Sequence, residues 1–185
     1  MKLLELHILQ SFPVSCLNRD DVGAPKSARF GGANRARLSS QSLKRAIRLR
    51  ARELNGEFFQ GRRTKLIIEP LRDKLIARGI SDPAQATDHA KTLAEAISKI
   101  DKDAEKKQEK LQISTLAFLS ERELDAIAEA GAAALQEDGK IANTGKLVKS
   151  AIDSAHLSDG ADIAIFGRMM ASDHSLTVEG AGMFS

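Results

Sequence analysis

The stretch GGANRARLSSQSLKRAIR, residues 31–48, decides how this chain is read. Two arginines precede a Ser-Ser-Gln-Ser turn, and a lysine with two further arginines follows it. A strand through Ala33–Leu38 places Arg35 and Arg37 on one face and Ala36 and Leu38 on the other. Ser39 or Ser40 then caps a helix by accepting from an amide of its first turn. At about 100° per residue, Lys44, Arg45, Arg48 and Arg52 fall within roughly 60° of Gln41, while Leu43, Ala46, Ile47 and Leu54 lie opposite. One face is thus predicted to pack on a sheet and the other to form a basic stripe. Arg50 lands in the apolar arc and has to snorkel or bend the helix, and Asn55-Gly56 is the expected stop.

An ordinary solvated helix face mixes its signs, because Glu–Lys pairs one turn apart stabilise it. This stripe has no acid until Glu53. Its like charges repel one another, and a polyanion would offset that cost. The amides at Ser39–Gln41 and the positive end of the helix dipole add a phosphate-binding chemistry.

Composition frames that reading. The 185 residues are 42% apolar and 29% charged, a globular balance that fits one domain, or a small domain with an insertion. The net charge of +3 hides an asymmetry: Arg19–Arg63 holds 12 Lys or Arg against 4 Asp or Glu, leaving 16 against 21 elsewhere. A basic segment on a mildly acidic body is the footprint of a polyanion partner. Trp and Tyr are absent, so aromatic stacking has few candidates. A single cysteine, Cys16, excludes an internal disulfide framework and any Cys-rich zinc site. With no basic leader and no long apolar run, the chain reads as soluble and cytoplasmic, with no membrane partner.

Residues 2–11 read as a mostly buried strand, with His7 packed in it. Residues 12–34 carry Pro13, Pro25 and loop chemistry. From about 57 to 155 helical patterns dominate, with Leu93, Ile97, Ile100 and Ala104 at helical spacing and a polar run at 101–110. Ser120–Glu123 is a capping box before an Ala-rich helix. Residues 162–169, DIAIFGRM, read as a strand, and the tail as a loop with a short extended piece. The apolar GMF near Ser185 has no terminating logic and suggests a fragment.

Competing motifs are weak. GKIANTGK at 139–146 has five residues between its glycines, and Leu147 stands where a phosphate loop needs Ser or Thr, so it reads as a turn. His7, His89, His156 and His174 lack metal-ligand spacing. Asp20-Asp21 beside Arg19 suggests a local salt-bridge network. No catalytic constellation, cofactor site or metal site is legible, and no enzyme is expected.

Taken together, SCLNRDD (15–21), FGG (30–32), RARLSSQSLKRA (35–46) and DIAIFGRM (162–169) resemble the CasC family, the backbone subunit of type I-E CRISPR Cascade. The resemblance covers residues 3–48 and 160–184; the helical middle is compatible with it. It implies an α+β fold: an RRM-like, ferredoxin-type palm, incomplete in this chain, with a helical fingers insertion and the start of a thumb loop. The corresponding segments are 1–56 for the first part of the palm, 57–158 for the fingers, and 159–185 for the returning strand and thumb. The resemblance further implies a non-nucleolytic scaffold whose copies stack along the CRISPR guide RNA, with other Cascade subunits as partners and target DNA reached through the guide. By matching motif, Arg19, Lys26, Ser39, Gln41, Lys44 and Arg45 would contact guide phosphates and sugars, and Met169 would wedge beside a displaced nucleotide. The charge geometry adds Arg35, Arg37 and Arg48. Without the family, Met169 reads as core packing at a strand end. The reading from another class is a ferredoxin-like endoribonuclease that processes the guide, with His7 or His174 as acid–base.

Overall fold

The computed structural model describes residues 3–8, 10–106, 110–155, 160–170 and 174–184, the side chains of 105 and 106 excepted. The chain forms two compact units, Met1–Ile47 and Arg48–Ser185.

In the first unit, β1 (Ser27–Phe30) and β2 (Ala33–Ala36) form an antiparallel hairpin, Ser27 opposite Ala36 and Phe30 opposite Ala33. Gly31 and Gly32 join them with φ of 61° and 79°. Positive φ at both positions is what a two-residue type I′ turn demands. This turn makes a strand of residues that sequence reasoning left in a loop. Helix α1 (Ser40–Leu54) follows, and Ser39 caps it by accepting from Ser42 N at 3.3 Å.

Two expectations fail here. Residues 3–8 form no strand and are exposed, His7 included. A strand apolar on both faces needs cover on both sides, and no described strand of this chain pairs with it. Nor does the apolar side of α1 pack on a sheet. No residue of α1 is buried, and Leu54 is 71% exposed. The hairpin is exposed along nearly its whole length and offers no covered face to pack against. Arg50 does extend outward, pairing with Glu53 at 2.8 Å.

The second unit is helical, as residues 57–155 predicted, around a core that includes Ile67, Leu71, Leu93, Ile113, Ile127 and Ile152. Its elements are β3 (Arg62–Thr64), α2 (Ile68–Ala77), α3 (Pro83–Glu95), α4 (Lys102–Lys106), β4 (Ala117–Leu119), α5 (Glu121–Asp138), α6 (Thr144–Ser154) and α7 (Ala161–Phe166). The antiparallel pair β3–β4 was not legible, each strand having only three residues. The expected helical run through Ile100 and Ala104 is broken. Helix α3 stops at Glu95, Ile100 bridges Ile113, and Asp101 Oδ1 accepts from the amides of Asp103 and Ala104 to start α4.

The capping box at Ser120 is complete, and Gly139 ends α5 in the left-handed region at φ 66°. Of GKIANTGK, residues 139–143 connect α5 to α6, and Thr144, Gly145 and Lys146 already belong to α6. Residues 162–166, predicted as strand, lie instead in α7. Ile163 and Phe166 are buried at helical i, i+3 spacing, and Gly167 at φ 77° ends the element. Only Arg168 remains extended, exchanging two 2.8 Å hydrogen bonds with Val178. The architecture is α+β, with two small antiparallel sheets among the described residues. His156 and the expected boundary at 158/159 lie outside the described residues. No described helix is long and apolar enough to cross a membrane.

Candidate nucleic-acid interface

Asn18 organises the basic unit. Its carbonyl accepts from Lys26 N at 2.8 Å, and its side-chain Oδ1 accepts from Ser39 N at 3.1 Å. The first bond closes the loop that Arg19 opens, and the second ties that loop to the start of α1. Asp20 Oδ1 accepts from Val22 N and Ala24 N, while Arg19 Nη1 donates to Gly23 O at 2.7 Å. The expected salt-bridge network is therefore not what forms. Asp20 serves backbone amides in an Asx-type turn, which a free loop N–H rewards more directly than a solvated arginine does.

The hairpin ladder continues one step outward, Arg37 N donating to Lys26 O at 2.9 Å. Residues facing each other across an antiparallel pair share a side of the sheet, and the sides alternate along each strand. Lys26, Phe30, Arg35 and Arg37 therefore share one side, with Arg29 and Asn34 on the other. Arg35 Nε donates to Phe30 O at 3.1 Å, drawing its guanidinium toward the turn. At the head of α1 the amides of Ser40 and Gln41 have no acceptor among the described residues. From Val22 to Arg52 the chain carries nine Lys or Arg and no acid. No described residue of the first unit is buried, so this charge is held on a hydrogen-bonded frame rather than a core.

Eight of the ten predicted residues thus belong to this unit: Arg19, Lys26, Arg35, Arg37, Ser39, Gln41, Lys44 and Arg45. Arg48 and Met169 belong to the second. Arg48 lies with its guanidinium carbon 4.9 Å from the ring centroids of both Phe118 and Phe166. Its Nε is buried without a hydrogen-bond partner among the described residues. Burial pulls its pKa down, against the pull of nearby Asp162 and with the help of Arg63. Arg52, from the same predicted stripe, donates to Phe59 O and Gly61 O. The C-terminal half of the stripe is engaged by its own unit, which angular spacing alone could not reveal. Met169 is 75% exposed between the buried Arg168 and Met170, so it is not packed in the core.

Sequence reasoning missed Asn18 and Phe30. The partner of Asn18 is 21 residues away and leaves no local signal. Phe30 could have been found by continuing the alternation of Arg35 and Arg37 back through Gly31-Gly32. His7 is exposed with Nε2 3.7 Å from Glu5 Oε2, and His174, also exposed, opens a 3-10 turn, His174–Leu176, whose Leu176 is buried. Among the described residues, no three His, Cys, Asp or Glu side chains gather where they could hold a metal.

Fold and site together define an α+β chain with a basic surface made of a looped hairpin and a capped helix, acid-free from Val22 to Arg52, a chemistry suited to polyanions. The chain belongs to the CT1975-like protein family, whose model matches residues 4–185. It is similar, at 32% identity and a TM-score of 0.63, to a chain of a CRISPR RNA-guided surveillance complex, covering 92% of this chain and 53% of that one. It is also similar to a chain of a CRISPR RNA-guided surveillance complex in a pre-nicking state, at 32% identity and a TM-score of 0.62, covering 89% of this chain and 46% of that one. The chain spans about half the length of these solved chains. No curated protein matches it.

Proposed function

We propose that this chain is part of a Cascade-type CRISPR surveillance complex and binds the backbone of the guide RNA as a non-enzymatic scaffold. The observation that carries the reading is the 32% identity, over 92% of the chain, to a subunit of an RNA-guided surveillance complex. The basic unit supplies a mechanism that fits it. Lysine and arginine heads neutralise phosphates, and a capped helix start offers backbone N–H groups to their oxygens. A guide-binding surface has to accept any spacer, and phosphate contacts carry no sequence information. In this reading the first unit, residues 3–8 included, contributes to an RRM-like palm of the type I-E backbone subunit, copies stack along the guide, and target DNA is met through pairing.

Titration of labelled CRISPR RNAs with unrelated spacers tests the proposal. Equal affinities, with log K falling linearly in log salt, are the expected result. Strong preference for one spacer contradicts backbone binding. Defined cleavage products lost on substitution of His7 or His174 support the endoribonuclease instead.

A further inference from the structure

The hairpin presents an aromatic ring where an electrostatic surface alone has no use for one. Phe30 is 75% exposed in a chain with no Trp or Tyr. It sits at the last position of β1, and the type I′ turn after it fixes its backbone. Arg35 Nε is bonded to the carbonyl of Phe30, and a side chain added at Gly31 would come 3.9 Å from Arg35 Nη2. The guanidinium therefore lies beside the turn, and its Nη groups have no hydrogen-bond partner among the described residues. Lys26 and Arg37 share the same side of the ladder.

We propose that Phe30 is a stacking platform for a base of single-stranded RNA, set among the cations that hold the adjoining phosphates. This rests on the reading of the first unit as an RNA-binding surface and adds a base-contacting element to it. An apolar protein partner covering Phe30 would also have to desolvate Lys26, Arg35 and Arg37, and the stretch Val22–Arg52 that carries them holds no acid to compensate them. A nucleotide meets both needs at once, presenting a π-face to the ring and a phosphate to the guanidinium. Stacking tolerates every base, because each has a π-face, so it leaves guide sequence unrestricted.

The absence of tryptophan supplies the test, since Phe30→Trp places a single indole in the 185-residue chain. Adding single-stranded RNA quenches its emission, whereas an abasic strand of the same length binds without quenching. Phe30→Ala weakens RNA binding about tenfold with the salt slope unchanged, and Phe30→Trp restores affinity. Equal quenching by the abasic strand, or unchanged affinity of Phe30→Ala, overturns the proposal. So does a concentration-dependent emission shift without RNA, which would place a second protein copy on the ring. If the wild-type chain binds no RNA, the parent reading fails and takes this one with it; if it binds and Phe30→Ala is silent, only the stacking role fails.

Discussion

Glu123 Oε1 and Arg168 Nη1 lie 2.6 Å apart, with side chains only 1% and 3% exposed. The other carboxylate oxygen, Oε2, accepts from Ser120 N and completes the cap of α5. Arg168 meanwhile donates to Leu176 O through Nε and to Phe118 O through Nη1. One buried pair thereby joins the start of α5, the strand β4 and the 3-10 turn. It also fixes the peptide that carries the exposed Met169.

Removing one partner of such a pair leaves an uncompensated buried charge. Glu123→Ala is therefore expected to cost about 3–5 kcal/mol, and Glu123→Gln less because an amide oxygen can still accept. Urea unfolding measures both. A loss under about 1 kcal/mol for the alanine variant would show that the pair is dispensable.

Gly61 tests a close approach. A Cβ there would lie 2.5 Å from Asp162 Oδ1 and 2.7 Å from Phe118 Cε2. Both neighbours are themselves packed, Asp162 beside Arg48 and Phe118 beneath its guanidinium. Gly61→Ala should destabilise by about 1–3 kcal/mol through overpacking, read as a lowered unfolding midpoint. An unchanged midpoint would mean that this corner yields easily.

What the sequence could show depended on the range of the interaction. The start of α1, the capping box at Ser120 and the Gly139 stop are local devices, each readable from neighbouring residues. DIAIFGRM misled because six residues of α7 fit a period of 2 as easily as an i, i+3 pair; the burial of Ile163 and Phe166 decided for helix. The candidate site divided in the same way. Lys26, Arg35 and Arg37 were visible as charge, but the bond from Ser39 to Asn18 and the stacking of Arg48 on Phe118 and Phe166 depend on residues distant in the chain.

Asp162 predicts a pH dependence. Burial raises its carboxyl above the ordinary 3.8, and the Ile163 amide, Arg48, the Gly61 amide and Arg52 only partly oppose this. A raised value means that the folded state holds the proton more tightly than the unfolded state does. The associated stability is fully present below about pH 3.8 and is lost as pH rises through the folded value. Asp162→Asn should remove that fall, so the stability difference between the two proteins should change with pH within this window. A constant difference would contradict the assignment. Asp101 acts in the opposite sense: amide donation by Ala104 leads the causes that lower its carboxyl, so its contribution fades as pH falls.

The cations on the hairpin and the arginine among the phenylalanines should separate cleanly in one experiment. Lys26, Arg35 and Arg37 share one side of an exposed ladder, and no described residue of their unit is buried. Replacing all three by alanine should leave the unfolding of the second unit unchanged. It should also make the salt dependence of RNA binding shallower by about 2 in log–log slope, roughly 0.7 for each single-strand phosphate no longer neutralised. The weakening should be uniform across unrelated RNA sequences. Arg48→Ala removes the cation that lies over both phenylalanine rings and beside Asp162. Its main effect should be a loss of stability of about 1–3 kcal/mol, with little change in salt slope. A slope change for Arg48→Ala equal to that of a hairpin cation would show that Arg48 neutralises a phosphate as the hairpin cations do. A sequence-selective weakening in the triple variant would refute phosphate binding by the hairpin.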